Sequence, residues 1–139
     1  MAKVLLAASI TTQQQLLAAF TEHKSWDAQY RLIIQLGKTL TDFPESLKNE
    51  AHQIQGCESL AWLAYEEHDG VYYFKMDSDT RVVKGLMKII CVIFEGNTKQ
   101  QIQAINCDTL FEQLGLLNHL SPSRANGLFA IIDRIKSIA

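Results

Sequence analysis

The spacing of apolar positions changes character twice along the chain. In the first third it is helical. Thr12 followed by Gln15 has the form of a capping box, and Leu16, Leu17 and Phe20 then give the apolar positions of a short helix. Ser25 is a good N-cap for a second helix, in which Trp26, Tyr30, Ile33, Ile34 and Gly37 share one face. A third, short helix is expected to start at Pro44, with Glu45 in its first turn.

The middle of the chain reads as strand. Residues 59–66 and 71–76 are rich in aromatic and β-branched side chains, and His68-Asp69-Gly70 separates them. Asp-Gly between two such runs is a strong signal for a tight hairpin. Alternation puts Leu60 and Trp62 on one face and Leu63 and Tyr65 on the other. An isolated hairpin is marginal in water, so a third strand or a covering helix is required.

Helical spacing then returns. Val82, Val83, Leu86, Ile89, Ile90 and Ile93 mark a strongly periodic helix that stops near Gly96. Thr98 with Gln101 makes a second capping box. Asp108 is the expected cap of a short helix carrying Leu110, Phe111 and Leu114 and closed by Gly115. Ser121-Pro122 opens the last helix, with Leu128, Ile131, Ile132, Ile135 and Ile138 as its stripe. Helices, hairpin, helices is the order of an α+β protein: a small antiparallel sheet packed against several α-helices. We expect one domain over residues 1–139, with residues 1–11 a disordered N-terminal segment.

Composition narrows the function. The chain has 139 residues and 47% hydrophobic content, enough for one ordinary core. A net charge of −2 argues against broad nucleic-acid or anionic-membrane binding. No apolar run is long enough to span a bilayer. Lys3 followed by Val4 to Ile10 has the look of a very short signal sequence, against the plainer reading of an N-terminal segment that packs or dangles. The three cysteines, Cys57, Cys91 and Cys107, are odd in number and widely spaced. They predict no disulfide framework or zinc motif, and a reducing cytoplasm is the simplest home.

Candidate chemistry is sparse. Cys57, in Gln55-Gly56-Cys57-Glu58-Ser59, sits where the helical first half meets the first strand. Gly56 permits a turn that displays the thiol, although a free cysteine is as readily a small buried hydrophobe. Cys91 lies among Ile89, Ile90, Val92 and Ile93 and reads as core. Cys107 stands near a helix start, which lowers a thiol pKa, but its better reading is a helix-connection residue. Arg124 is anomalous. It falls in the first turn of the last helix, where the macrodipole disfavours a cation, and on the face of Leu128, Ile131 and Ile135. It either covers the core with its stem, pairs with a carboxylate, or stands beside an anion such as a thiolate. Asp77 and Asp79 precede the long periodic helix and read first as caps, alternatively as acids near a reactive loop. His23, His52, His68 and His119 are scattered in polar contexts, with no ligand-like neighbours.

Taken in order, several stretches resemble the SufE/CsdE family of sulfur-acceptor proteins. They are Trp26-Asp27-Ala28-Gln29-Tyr30-Arg31 with Leu36-Gly37-Lys38; Gln55-Gly56-Cys57-Glu58-Ser59 with Trp62; Asp77-Ser78-Asp79; Val83-Lys84-Gly85-Leu86; and His119-Leu120-Ser121-Pro122-Ser123-Arg124 with Gly127-Leu128. The resemblance implies an IscU-like fold of helices on a small sheet. It implies that Cys57 is the sulfur-accepting cysteine, and that Asp79 and Arg124 lie near that cysteine or matter to the partnership; Arg124 is then the expected thiolate stabiliser and Asp79 is expected near the reactive loop. It implies a cysteine desulfurase of SufS or CsdA type as partner, and a downstream sulfur acceptor or iron–sulfur assembly complex. The chain itself needs no cofactor; pyridoxal phosphate belongs to the desulfurase. No nucleic acid or membrane is involved. The expected mechanism keeps Cys57 on a mobile loop hinged at Gly56, tucked into an apolar pocket when idle. Two rival readings are a cysteine-liganded iron–sulfur or zinc scaffold and a non-catalytic modulator of the desulfurase.

Overall fold

The computed structural model describes residues 10–22, 25–40, 42–56, 59–116 and 120–138. Helices α1 (Gln13–Glu22) and α2 (Trp26–Gly37) come first, then a single 3-10 turn over Glu45–Leu47. The hairpin β1 (Ala61–His68) and β2 (Val71–Ser78) leads into α3 (Arg81–Phe94). A two-residue strand β3 (Asn97–Thr98) is followed by α4 (Lys99–Ala104), α5 (Cys107–Leu114) and α6 (Pro122–Ile138). This is the expected α+β architecture.

The start signals act as read. The Gln15 N–H donates to Thr12 Oγ1 at 3.2 Å and the Thr12 N–H to Gln15 Oε1 at 3.1 Å. Thr98 and Gln101 form the same reciprocal pair at α4. Ser25 caps α2 through the Ala28 N–H. Two expectations need correction. The short helix after Pro44 is only the 3-10 turn Glu45–Leu47. The cap of α5 is Asn106, whose side chain accepts from the Thr109 N–H, so Asp108 lies inside the first turn.

The hairpin turns at Asp69-Gly70, both with positive φ (52° and 83°), the geometry of a two-residue turn matched to strand twist. Register pairs Ala61 with Ser78, Leu63 with Met76 and Tyr65 with Phe74. That face carries the buried Ala61, Leu63, Phe74 and Met76. Trp62 points to the outer face, where Lys48 Nζ lies 5.3 Å from its ring centre. β3 pairs with β2 on the side away from β1, giving the order β1-β2-β3.

α3 is the centre of the molecule. It is buried at Val82, Val83, Leu86, Met87, Ile89, Ile90, Cys91, Ile93 and Phe94. A helix apolar on nearly every side has to be enclosed, and α3 packs against α2, β2 and α6. Its approach to α2 is unusually close at Gly85: a Cβ built there would lie 2.1 Å from the Ile33 carbonyl oxygen. Gly37 on α2 faces the same seam, where a Cβ would stand 2.8 Å from the Gly85 nitrogen.

Candidate functional site

Cys57 and Glu58 lie outside the described residues, as do His23 and His119. The residues on either side of Cys57 are tied by backbone hydrogen bonds. Residues 52–54 run antiparallel to the start of β1. The Ile54 N–H donates to the Ala61 carbonyl and the Leu63 N–H to the His52 carbonyl, both at 2.8 Å. These bonds hold residues 52–54 against residues 61–63. Gly56 holds φ +87°, a conformation that other residues adopt only with strain, and it sits against α6: a Cβ at 56 would lie 3.5 Å from that of Ala130.

Ser59 and Leu60 are held from β2 and from the start of α3. The Leu60 carbonyl accepts from Ser78 Oγ at 2.7 Å and from the Asp79 N–H at 3.3 Å. Thr80 Oγ1 is 2.7 Å from Ser59 Oγ and 3.1 Å from Asp79 Oδ1. A hydroxyl has one proton. Both contacts are satisfied when Thr80 donates to Asp79 and accepts from Ser59. Asp79 is therefore no helix cap: Thr80 occupies the cap position of α3 and makes no side-chain cap bond. Asp77 is no cap either. Its carboxylate meets Lys48 at 3.1 Å and Lys84 at 3.5 Å. Partial burial opposes its ionisation, but the Lys48 bond, the Ser78 amide and the two lysine charges outweigh it and lower its pKa.

Arg124 is partly buried on α6, with its N–H donating to Ser121 Oγ at 3.3 Å. It lines a small hollow with Ser59, Val83, Leu86, Leu128 and Ile131, about 10 Å³ and otherwise largely apolar. Ser59 and Arg124, 65 positions apart in sequence, thus share one wall. Among the described residues Lys48 and Lys84 form ion pairs with carboxylates and the His68 ring contacts Glu66, and none of these pairs includes Arg124. On the Gly56 side a larger groove of about 550 Å³ runs along α6, bordered by Gln55, Gly56, Asn126, Phe129, Ala130 and Asp133.

The other two thiols are free and buried. Burial pushes the Cys91 pKa far above its ordinary value. Cys107 is also raised, mainly by burial, with Asp108 adding and Lys136 opposing. Any lowering by the nearby helix start is therefore outweighed. Among the described residues no group of three His, Cys, Asp or Glu side chains converges as a metal site, and no helix is long and apolar enough to cross a membrane. Sequence reading gave no role to Ser59, Thr80 or Arg81; the usable signal was Arg81, a cation at a helix start like Arg124.

Residues 14–139 match the SufE family, described as an Fe-S metabolism associated domain. The chain belongs to the SufE family. It is 37% identical over 134 residues to a SufE-like protein of Rhizobium meliloti (strain 1021), covering 94% of this chain and 96% of that one. It is 38% identical over 125 residues to the sulfur acceptor protein CsdE of Escherichia coli (strain K12), covering 89% and 85%. A solution structure of a protein from Thermus thermophilus superposes with a TM-score of 0.72 over 90% of each chain at 15% identity, a likeness of fold. Membership of the SufE family implies a cysteine desulfurase as partner.

Proposed function

We propose that this chain is a sulfur acceptor that takes persulfide sulfur from a cysteine desulfurase onto Cys57 and passes it on for iron–sulfur cluster assembly. The observation that carries the reading lies on either side of Cys57: residues 52–54 are hydrogen-bonded to residues 61–63, and Ser59 lines one hollow with Arg124. Reactive groups favour such loops held by rigid elements. The name of the E. coli relative, a sulfur acceptor, supports the same role.

In this reading the Cys57 thiolate attacks the outer sulfur of the persulfide on the desulfurase. The bond between the two enzyme sulfurs breaks, the enzyme's thiolate leaves, and a persulfide remains on Cys57. The pyridoxal phosphate that generates the sulfur belongs to the partner. Arg124 favours the thiolate by its charge, since a free thiol is only a few per cent ionised at neutral pH. Asp79 acts through Thr80 and Ser59 to fix the far side of the loop. The apolar hollow beside Arg124 has room for about one water-sized atom, and we assign it as the shelter of the idle sulfur. Gly56 is the hinge of that movement. The partner is a desulfurase of SufS or CsdA type, and the downstream recipient is a second sulfur acceptor or an assembly complex. The chain works in the cytoplasm, a location supported by its free thiols Cys91 and Cys107.

The test is to incubate the chain with its desulfurase and free cysteine and weigh it intact. One added sulfur is expected on wild type and on Cys91→Ser and Cys107→Ser, and none on Cys57→Ser. No added sulfur on wild type would sink the proposal. Full stimulation of the desulfurase by Cys57→Ala would favour a modulator instead.

A further inference from the structure

We propose that Arg31, Arg81 and Arg124 form a docking site for an acidic segment of the partner desulfurase, beside the sulfur-accepting loop. The proposal rests on the sulfur-acceptor reading for the identity of the partner, not for the chemistry of the site. The three arginines line one cavity of about 370 Å³ on the seam between α2 and the start of α3, with α6 at its side. Its apolar lining is Ile34 and Val82, and Tyr30 stands at the wall with 42% of its surface exposed.

The charge there is unbalanced. The whole chain carries −2, yet three arginines line one cavity. Among the described residues none of the three takes part in an ion pair. The carboxylates nearest in sequence, Asp27 and Asp79, are not paired with them either. Two of the arginines also stand where helices repel cations. Arg81 is the first residue of α3 and Arg124 lies in the first turn of α6, at positive macrodipole ends that favour acids. No side chain caps α3, because the Thr80 hydroxyl is engaged with Ser59 and Asp79. Fold stability alone favours an acid at position 81. A cluster kept against that preference is suited to an incoming anion.

Composition and place favour a protein over a small molecule. Arginine and tyrosine over an apolar floor are the residues that dominate protein interfaces. Arg31 and Arg81 are exposed, and three cations call for more than one carboxylate. Thr80, in the cavity wall, bonds to Ser59 of the loop. Whatever fills the cavity therefore borders the Cys57 segment, which the desulfurase has to approach.

The test measures binding of the full chain to its desulfurase at low and high salt, with Arg31→Glu, Arg81→Glu and the neutral pair Arg31→Gln and Arg81→Gln. Arg124 stays intact. Each reversal is expected to raise Kd by about tenfold or more at low salt and to flatten the salt dependence. The glutamine variants lie between. Arg81→Glu is expected to keep or raise Tm, because an acid suits that helix start, so loss of binding is not loss of fold. Kd values within about twofold of wild type for both reversals would overturn the docking site. So would succinate or phosphate protecting wild type, but not the reversals, from thermal unfolding while desulfurase affinity stays unchanged. A wild type that binds with this charge dependence but gains no sulfur would defeat the sulfur-acceptor reading and leave the docking site standing.

Discussion

Replacing Gly85 with alanine sets two effects of opposite sign against each other. Gly85 has ordinary helical backbone, so alanine would by propensity stabilise α3 by about 1 kcal/mol. The new methyl, however, would lie 2.1 Å from the Ile33 carbonyl oxygen, 2.4 Å from Ile33 Cγ2 and 2.7 Å from the Ile33 carbonyl carbon. Backbone atoms cannot rotate aside, so α2 and α3 have to part by about 1 Å. Overpacking of this kind costs about 1–3 kcal/mol and sometimes more, and the clash involves fixed atoms, which puts it at the upper end. We expect a net loss of about 2 kcal/mol. At about 2.1 cal/mol/K per residue, a chain of 139 residues then loses about 7 °C in Tm. Thermal and urea unfolding followed by far-UV circular dichroism read this directly. The same seam sets Arg31 against Arg81, so affinity for the desulfurase should fall with stability. Gly96→Ala is the control: nothing lies within 4 Å of its built Cβ, and only its φ of +75° penalises alanine. It should cost about 1 kcal/mol and leave affinity unchanged. A Gly85→Ala variant as stable as wild type would refute the close-packing argument.

Arg124→Ala should slow sulfur transfer by roughly threefold to tenfold at neutral pH, the worth of up to one pKa unit of thiolate stabilisation. The deficit should close above the ordinary thiol pKa of about 8.5, and equal slowing at both pH values would reduce Arg124 to a packing or docking role. Asp77 has a lowered pKa, so its stabilisation is present above the unfolded value, ordinarily 3.8, and is lost as pH falls through the folded one. Asp77→Asn should be about 0.5–1 kcal/mol less stable at neutral pH, because the Lys48 and Lys84 pairs are solvent-screened. That gap should vanish in acid unfolding; a constant gap would contradict the assignment. In Cys57→Ser no thiol should react quickly with a disulfide reagent in the native state, and two should react after denaturation; a fast native thiol would show that Cys91 or Cys107 is reachable.

Much of the fold was legible because its signals are local. The Thr12 and Thr98 capping boxes, the Ser25 cap, the Asp69-Gly70 turn and the period of α3 each rest on residues within a few positions of one another. The failures have equally local causes. Asn106 and Asp108 are both good caps, and only packing decides: starting at Cys107 buries that thiol along with Phe111 and Leu114. β3 has two residues, too few to show alternation. Asp77 and Asp79 drew the cap assignment of α3 because acids suit helix starts, yet Lys48 reaches Asp77 from 29 positions away. That mistake hid Arg81 as a wrong-signed cation. The cavity it shares with Arg31 and Arg124 joins three elements across the fold, and no window of sequence contains it.

The burial of Cys91 and Cys107 bears on how long a carried sulfur survives. A persulfide is open to discharge from within. A second thiolate on the same chain that attacks the inner sulfur forms a disulfide and expels hydrosulfide, and the cargo is lost. Cys91 is sealed inside α3 and Cys107 packs at the foot of α5, and burial raises both pKa values, which leaves little thiolate on either near neutrality. While the fold is intact, the chain has no resolving cysteine of its own. Sulfur loaded onto it leaves by meeting another molecule, so the choice of recipient rests with whichever surface docks next.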